Sequence, residues 1–188
     1  MQPIFTIHAG EYLVGNFIET KFGKWVNVWL PSKDTGIDLL LTDKETNSKT
    51  VSIQVKFSKD FLITSMNKEF HENLLACGWW TLNREKLEKS KADFWIFALH
   101  SFKAKEIQHV IINPKKLLGI YDTLNRNDKV IPTYIWVTDS KSKKCWETRD
   151  LKKNEQRLII SGDYVCEDRN MSSFLEDWEP IKEKLAII

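Results

Sequence analysis

The stretch Val51-Ser52-Ile53-Gln54-Val55-Lys56-Phe57 alternates apolar and polar side chains without a break. Side chains in a strand point to opposite faces in turn, so Val51, Ile53, Val55 and Phe57 share one face. Ser52, Gln54 and Lys56 share the other. This predicts a strand over residues 50–57, with a core face and a face that holds an amide beside an ammonium. The preceding segment, Ile37-Asp38-Leu39-Leu40-Leu41, is apolar except for Asp38 and predicts another strand, over 37–42. A carboxylate leading an apolar strand needs a partner, a cation or solvent. The polar residues 43–49 between the two read as a hairpin connection. Further out, residues 25–30 alternate and read as a strand stopped by Pro31, with a turn from Ser32 to Gly36.

Residues 6–21 read as a helix, with Thr6 as its cap and Gly23 after its end. On a helical wheel Leu13, Val14, Phe17, Ile18 and Phe22 form the apolar stripe, and Glu11 falls at its edge, turned toward the sheet. An acid so near a helix N-terminus is also favoured by the helix dipole. Residues 84–91 read as a short polar helix. The run ADFWIFAL, Ala92 to Leu99, reads as a strand buried on both faces. Residues 108–112 read as a strand and Pro114 opens a short helix to Leu118. In the last third, residues 133–137 read as a strand, 139–144 as an exposed turn and 172–186 as a terminal helix. The order of helix, three-stranded meander, helix and strand predicts an α/β fold, a central mixed sheet flanked by helices. Residues 1–125 form its core in this reading, and 126–188 an extension packed on the same domain.

Composition narrows the function classes. The 188 residues are 42% hydrophobic and carry 8 Trp and 10 Phe, which excludes a wholly disordered chain. No apolar run approaches the roughly 20 residues that span a bilayer, and the N-terminal stretch lacks the basic region of a secretory signal. A cytoplasmic protein is expected. The formal charge of +2 neither demands nor excludes nucleic acid. Cys77, Cys145 and Cys166 match no zinc spacing, and His8, His71, His100 and His109 make no HxxxH or HExxH pattern. The thiols read as packing groups in a reducing compartment.

Four Asp/Glu/Gln-x-Lys triplets occur in the chain, about the number that chance gives for its composition. Only Gln54-x-Lys56 lies inside a strong strand that follows an aspartate-led strand across a hairpin. Together, Glu11 on a first helix, Asp38 after a glycine and Gln54-x-Lys56 on the next strand resemble the PD-(D/E)xK, or restriction-endonuclease-like, nuclease superfamily. The matching stretches are HAGEYLVGNFI (His8 to Ile18), TGIDLLL (Thr35 to Leu41) and SIQVKFS (Ser52 to Ser58). The resemblance runs from about residue 6 to 120 and implies a restriction-endonuclease-like αβββαβ core. One departure is that Gln54 stands where the family's usual acid would be. Glutamine offers an amide oxygen but no charge, which lowers the expected affinity for Mg²⁺.

The resemblance implies a metal-dependent nuclease that hydrolyses phosphodiester bonds, in first place a DNA endonuclease of restriction or defence type. Asp38, Glu11, the Gln54 side-chain oxygen and the Val55 carbonyl would hold Mg²⁺, or Mn²⁺ in its place. Lys56 would stand beside the attacking water, and Ser58 shares its strand face. Cutting both strands of a duplex calls for a homodimer, although no dimer helix is visible. The alternative is a catalytically degenerate domain of the same fold that binds nucleic acid or a partner.

For substrate binding, Lys141, Lys143, Lys144, Arg149, Lys152 and Lys153 stand against only Glu147 and Asp150. Such a basic hairpin would ride along phosphates and release counterions. Residues 163–184 are acidic instead. Lys33, Lys59, Lys103, Lys105, Lys115 and Lys116 are further groove candidates. Of the adjacent Trp79 and Trp80, one belongs to the core and the other is left to pack under a loop or to stack on a base.

Overall fold

The computed structural model describes residues 8–33, 35–61, 68–101, 104–139 and 143–187. Thr6, Lys103 and Lys141 lie outside these residues. The chain begins with α1 (Ala9–Phe22), followed by β1 (Val26–Trp29), β2 (Leu39–Asp43) and β3 (Thr50–Ser58). These strands form an antiparallel meander, with Trp29 opposite Leu40 and Leu40 opposite Ser52. The β2–β3 turn is locked by Asp43, whose carboxylate accepts from the N–H of Lys49 and from the N–H and hydroxyl of Thr46. Those donors, Lys49 first, hold the Asp43 carboxyl well below the usual carboxylate range.

After α2 (Lys68–His71) come β4 (Leu74–Asn83) and α3 (Arg84–Glu88), and then β5 (Phe94–Ser101) returns parallel to β3. β6 (Glu106–Ile112), antiparallel to β5, completes a five-stranded mixed sheet in the order β1-β2-β3-β5-β6. α4 (Pro114–Thr123), β7 (Val130–Thr138), β8 (Cys145–Glu147), α5 (Lys153–Ser161) and α6 (Glu179–Leu185) follow. β4, β7 and β8 form a second, three-stranded antiparallel sheet.

The alternation of β3 sorts the layers. Val51, Ile53 and Val55 pack with Val14 and Ile18 of α1 and with Trp178, Ile181 and Leu185 in and beside α6. On the opposite face of the sheet, Trp95, Phe97, Val110 and Ile112 meet Trp80, Leu82, Ile135 and Val137 of the second sheet, with Leu87 and Tyr121 from α3 and α4. The outer face of the second sheet is closed by Phe70 and Ile159 over Trp136 and Trp146. The molecule is thus a mixed α/β fold in which helices flank stacked sheets.

Several expectations are corrected. The crossover from β3 to β5 is not a helix alone, because it contributes β4 to the second sheet. The first helix begins at Ala9 with His8 at its N-cap, and His8 N–H donates to Glu11 Oε2 at 3.2 Å. The expected terminal helix over 172–186 shrinks to Glu179–Leu185, preceded by a short 3₁₀ turn at Ser172–Phe174. Pro180 stands in the first turn of α6, where its missing N–H costs nothing, and it disfavours helix before it. β7 and the 114-onward helix are longer than expected, and Lys152 and Lys153, expected in the basic hairpin, cap and open α5.

Candidate nuclease-like site

β2 joins β3 only as far as Leu39, opposite Ile53. Before that point the chain parts from β3, and Asp38 stands at the fork. Asp38 N–H donates to the Ile53 carbonyl at 2.8 Å, and Asp38 Oδ2 accepts from Val55 N–H at 2.6 Å. The carboxylate thus replaces the next rung of the ladder. In a strand the N–H and C=O of one residue face the same neighbour, so the Val55 carbonyl also faces the opening left by β2.

Gln54 and Lys56 lie on the β3 face opposite α1, beside Trp95 and Phe97 of β5. The Lys56 ammonium lies 5.0 Å from the centre of the Trp95 ring. Trp95 is held in turn by its Nε1–H, which donates to Ser90 Oγ at 2.9 Å. A cation over an indole face is attracted by the ring quadrupole, so Ser90 and Trp95 position Lys56. Ser58, expected beside these groups, is instead buried, where its Oγ donates to the Lys59 carbonyl and accepts from Trp79 N–H.

Glu11 arrives from the other side of the sheet. Its helix turn sits on Phe57 at the end of β3, and only a glycine permits that approach: a Cβ on Gly10 would lie 2.3 Å from Phe57 Cβ. The result is one groove of about 1290 Å³ bordered by Glu11, Asp38, Gln54, Val55 and Lys56. Its far wall is Trp80 to Asn83 of β4, and Lys33, Lys86, Lys89 and Lys91 stand on its rim. Five lysines against Glu11, Asp38 and Glu85 give the groove a cationic balance. No family model, curated protein or solved structure matches this chain.

The groove brings Glu11, Asp38, Gln54, Val55 and Lys56 together, but it does not include the basic hairpin. The β7–β8 connection follows Thr138, opposite Leu74, whereas the groove wall lies at the Val130 end of β7. Eight residues of strand separate those ends, about 26 Å. Lys143 pairs with Glu106 at 3.2 Å, and β8 separates Lys143 and Lys144 from Lys152 and Lys153 at the start of α5. Among the other lysine candidates Lys33 borders the groove, while Lys59, Lys105, Lys115 and Lys116 do not. Trp80 is buried, donating its indole N–H to the Phe57 carbonyl at 3.1 Å, whereas Trp79 stacks on Tyr134.

Sequence reasoning missed Trp95 and Ser90 as supports of Lys56, and Lys86, Lys89 and Lys91 as the rim. The run REKLEKSK held the second signal. Its lysines follow one another across a helix end, directly before the strand that neighbours Lys56. Among the described residues no three His, Cys, Asp or Glu side chains cluster as metal ligands. The donor set expected from the sequence, all of it on the groove border, is two carboxylates, one amide oxygen and one backbone carbonyl.

Proposed function

We propose that this chain is a metal-dependent nuclease of restriction-endonuclease-like fold that hydrolyses phosphodiester bonds in DNA, as an endonuclease of restriction or defence type. One observation carries the reading: Glu11, Asp38, Gln54, Val55 and Lys56, from three separate elements, border a single groove where β2 parts from β3. The meander followed by a return parallel to β3 supports it.

The donors fit a hard divalent cation, since all are oxygens and two are carboxylates. Asp38, Glu11, the Gln54 amide and the Val55 carbonyl would hold Mg²⁺, with Mn²⁺ as a substitute. Such an ion supplies a water of lowered pKa and neutralises charge on the scissile phosphate. The rest falls to the protein. The Val55 N–H fixes one Asp38 oxygen and so orients the carboxylate. Lys56, a compact charge held over Trp95, stabilises the negative charge that develops on the phosphate oxygens. The rim lysines hold neighbouring phosphates, so binding weakens as salt rises.

The test is cleavage of plasmid, linear duplex, single-stranded DNA and RNA with Mg²⁺ or Mn²⁺. EDTA and the Lys56→Ala protein serve as controls. Cutting that needs the metal and falls by about 10²-fold or more in Lys56→Ala, at nearly unchanged binding, is the expected result. Salt-sensitive binding with no cutting of any polymer would instead point to a degenerate binding domain, with the uncharged Gln54 as its cause.

A further inference from the structure

The sheet face that carries Gln54 and Lys56 continues beyond the groove onto β1. Val26 and Val28 turn toward α1, so Asn27 and Trp29 turn the other way, to the side of Leu40 and Thr42, while Trp25 stands in the turn just before β1, its carbonyl accepting from Lys44 N–H. There Trp25 is 44% and Trp29 52% exposed. Exposed apolar side chains that lie together, rather than singly, mark interaction surfaces. Trp79, comparably exposed, already stacks on Tyr134 with Phe61 at its edge. Neither Trp25 nor Trp29 makes a ring contact among the described residues.

Trp29 is also held in place. Its indole N–H donates to Thr42 Oγ1 at 3.0 Å, and the Thr42 hydroxyl donates to Asn47 Oδ1 at 2.8 Å. Asn27 donates to that same oxygen at 3.1 Å. An exposed ring fixed by such a chain loses little freedom when a flat ligand covers it. Around the two indoles lies a hollow of about 800 Å³ whose charged lining is Lys21, Lys24, Lys44 and Glu19. Lys44 is anchored on the Gly23 carbonyl at 2.8 Å. At its other end the platform meets the groove, since Leu30, Pro31 and Lys33 directly after Trp29 form the groove rim. Trp29 faces Leu40, and two residues of strand, about 7 Å, separate Leu40 from Asp38.

We propose that this tryptophan–lysine face binds an unpaired nucleic-acid strand and leads it to the groove. Bases stack on Trp25 and Trp29, which border the same hollow, and phosphates meet Lys21, Lys24 and Lys44. A duplex offers no free base faces, so the platform selects unpaired segments. The inference rests on the nucleic-acid reading of the groove, and it adds the strandedness of the substrate and a site that catalysis does not use.

The test is fluorescence anisotropy with labelled DNA and RNA strands of about 16 nucleotides and the matching duplex, in EDTA, at about 50 and 200 mM salt. The proteins are wild type, Trp25→Ala/Trp29→Ala and Trp29→Phe. The double variant is expected to lose roughly 10-fold or more in affinity for the unpaired strand and less than about 2-fold for the duplex. Trp29→Phe, which keeps a stacking face, retains most of the binding. The DNA and RNA arms name the preferred strand. Unchanged single-strand affinity in the double variant overturns the proposal. So does a wild-type dimer that this variant breaks, which would make the face a contact between copies. The two readings fail separately. Strand binding that depends on the tryptophans without any cutting by wild type removes only the nuclease; cutting lost in Lys56→Ala with tryptophan-independent binding removes only the platform.

Discussion

Replacing Gly10 by alanine tests how α1 delivers Glu11 to the groove. The added Cβ would lie 2.3 Å from Phe57 Cβ and 3.0 Å from its Cγ. Ordinary carbon contacts need about 3.6 Å, so the first turn of α1 must retreat by about 1.3 Å. Overpacking of this kind costs roughly 1–3 kcal/mol, while the better helix propensity of alanine returns at most about 1 kcal/mol. A net loss of about 1–2 kcal/mol follows. For a chain of this size that lowers the melting temperature by about 2–8 °C. The retreat shifts Glu11, the next residue, from its place on the groove border. A misplacement of about 1 Å can cost 10²-fold in turnover. Urea unfolding reads the first quantity and metal-dependent cleavage the second. Adding Phe57→Ala does not restore stability, because the obstructing atom is the Cβ that alanine keeps. A Gly10→Ala protein as stable as wild type would refute the close seating of α1 on β3. A destabilised protein whose folded fraction cleaves at the full rate would refute the role given to Glu11.

Glu147 is fully buried and accepts from Arg126 at 2.7 Å and from Arg169 at 2.8 Å, so Glu147→Ala strands two guanidinium groups and should cost about 3–5 kcal/mol by urea unfolding. Burial pushes the Cys77 thiol up to about 12 and raises Cys145 as well, so in native protein a thiol reagent followed by mass spectrometry should label Cys166 first and the other two only on unfolding. Burial works to raise the Asp93 carboxyl, but the Lys184 ammonium and the Ser52 donors overcome it and hold it below the usual range. Asp93 is therefore stabilising above its unfolded pKa of about 3.9, and that contribution fades as pH falls through the lower folded value. Asp93→Asn should be less stable than wild type by about 2 kcal/mol at neutral pH, and the gap should close in strong acid when urea midpoints are compared.

The elements nearest the candidate site were legible because their chemistry is local. The alternation of residues 51–57 specifies both faces of β3, and ADFWIFAL reads as buried because Trp95 and Phe97 meet one layer while Ile96 and Ala98 meet another. β4 was not legible as a strand of its own sheet. Gly78 interrupts its pattern, since the Trp80 ring lies where a Cβ on Gly78 would be, and its ladder partners on β7 are 47 to 64 residues away. α5 was hidden by its charge: Lys152 and Lys153 join the preceding lysines into one basic run, although Ile159 is what holds the segment to the sheet. The place of Glu11 on the same groove as Asp38 could only be suggested, because it depends on Gly10 lying against Phe57. The rim formed by Lys86, Lys89 and Lys91 depends on where α3 ends relative to β5, which spacing alone does not specify.

The groove wall at Trp80 to Asn83 is held in its sheet by residues 130–133 of β7, β4's only strand partner among the described residues. Glu11, Asp38, Gln54 and Lys56 all precede residue 60, so a growing chain carries them long before that wall can be fastened. As synthesis runs from the N-terminus, the cleft stays open on one side until β7 has emerged and paired. On the nuclease reading proposed above, the timing of translation would act as a safeguard: a partly made chain would hold Asp38, Gln54 and Lys56 without the wall that completes their groove.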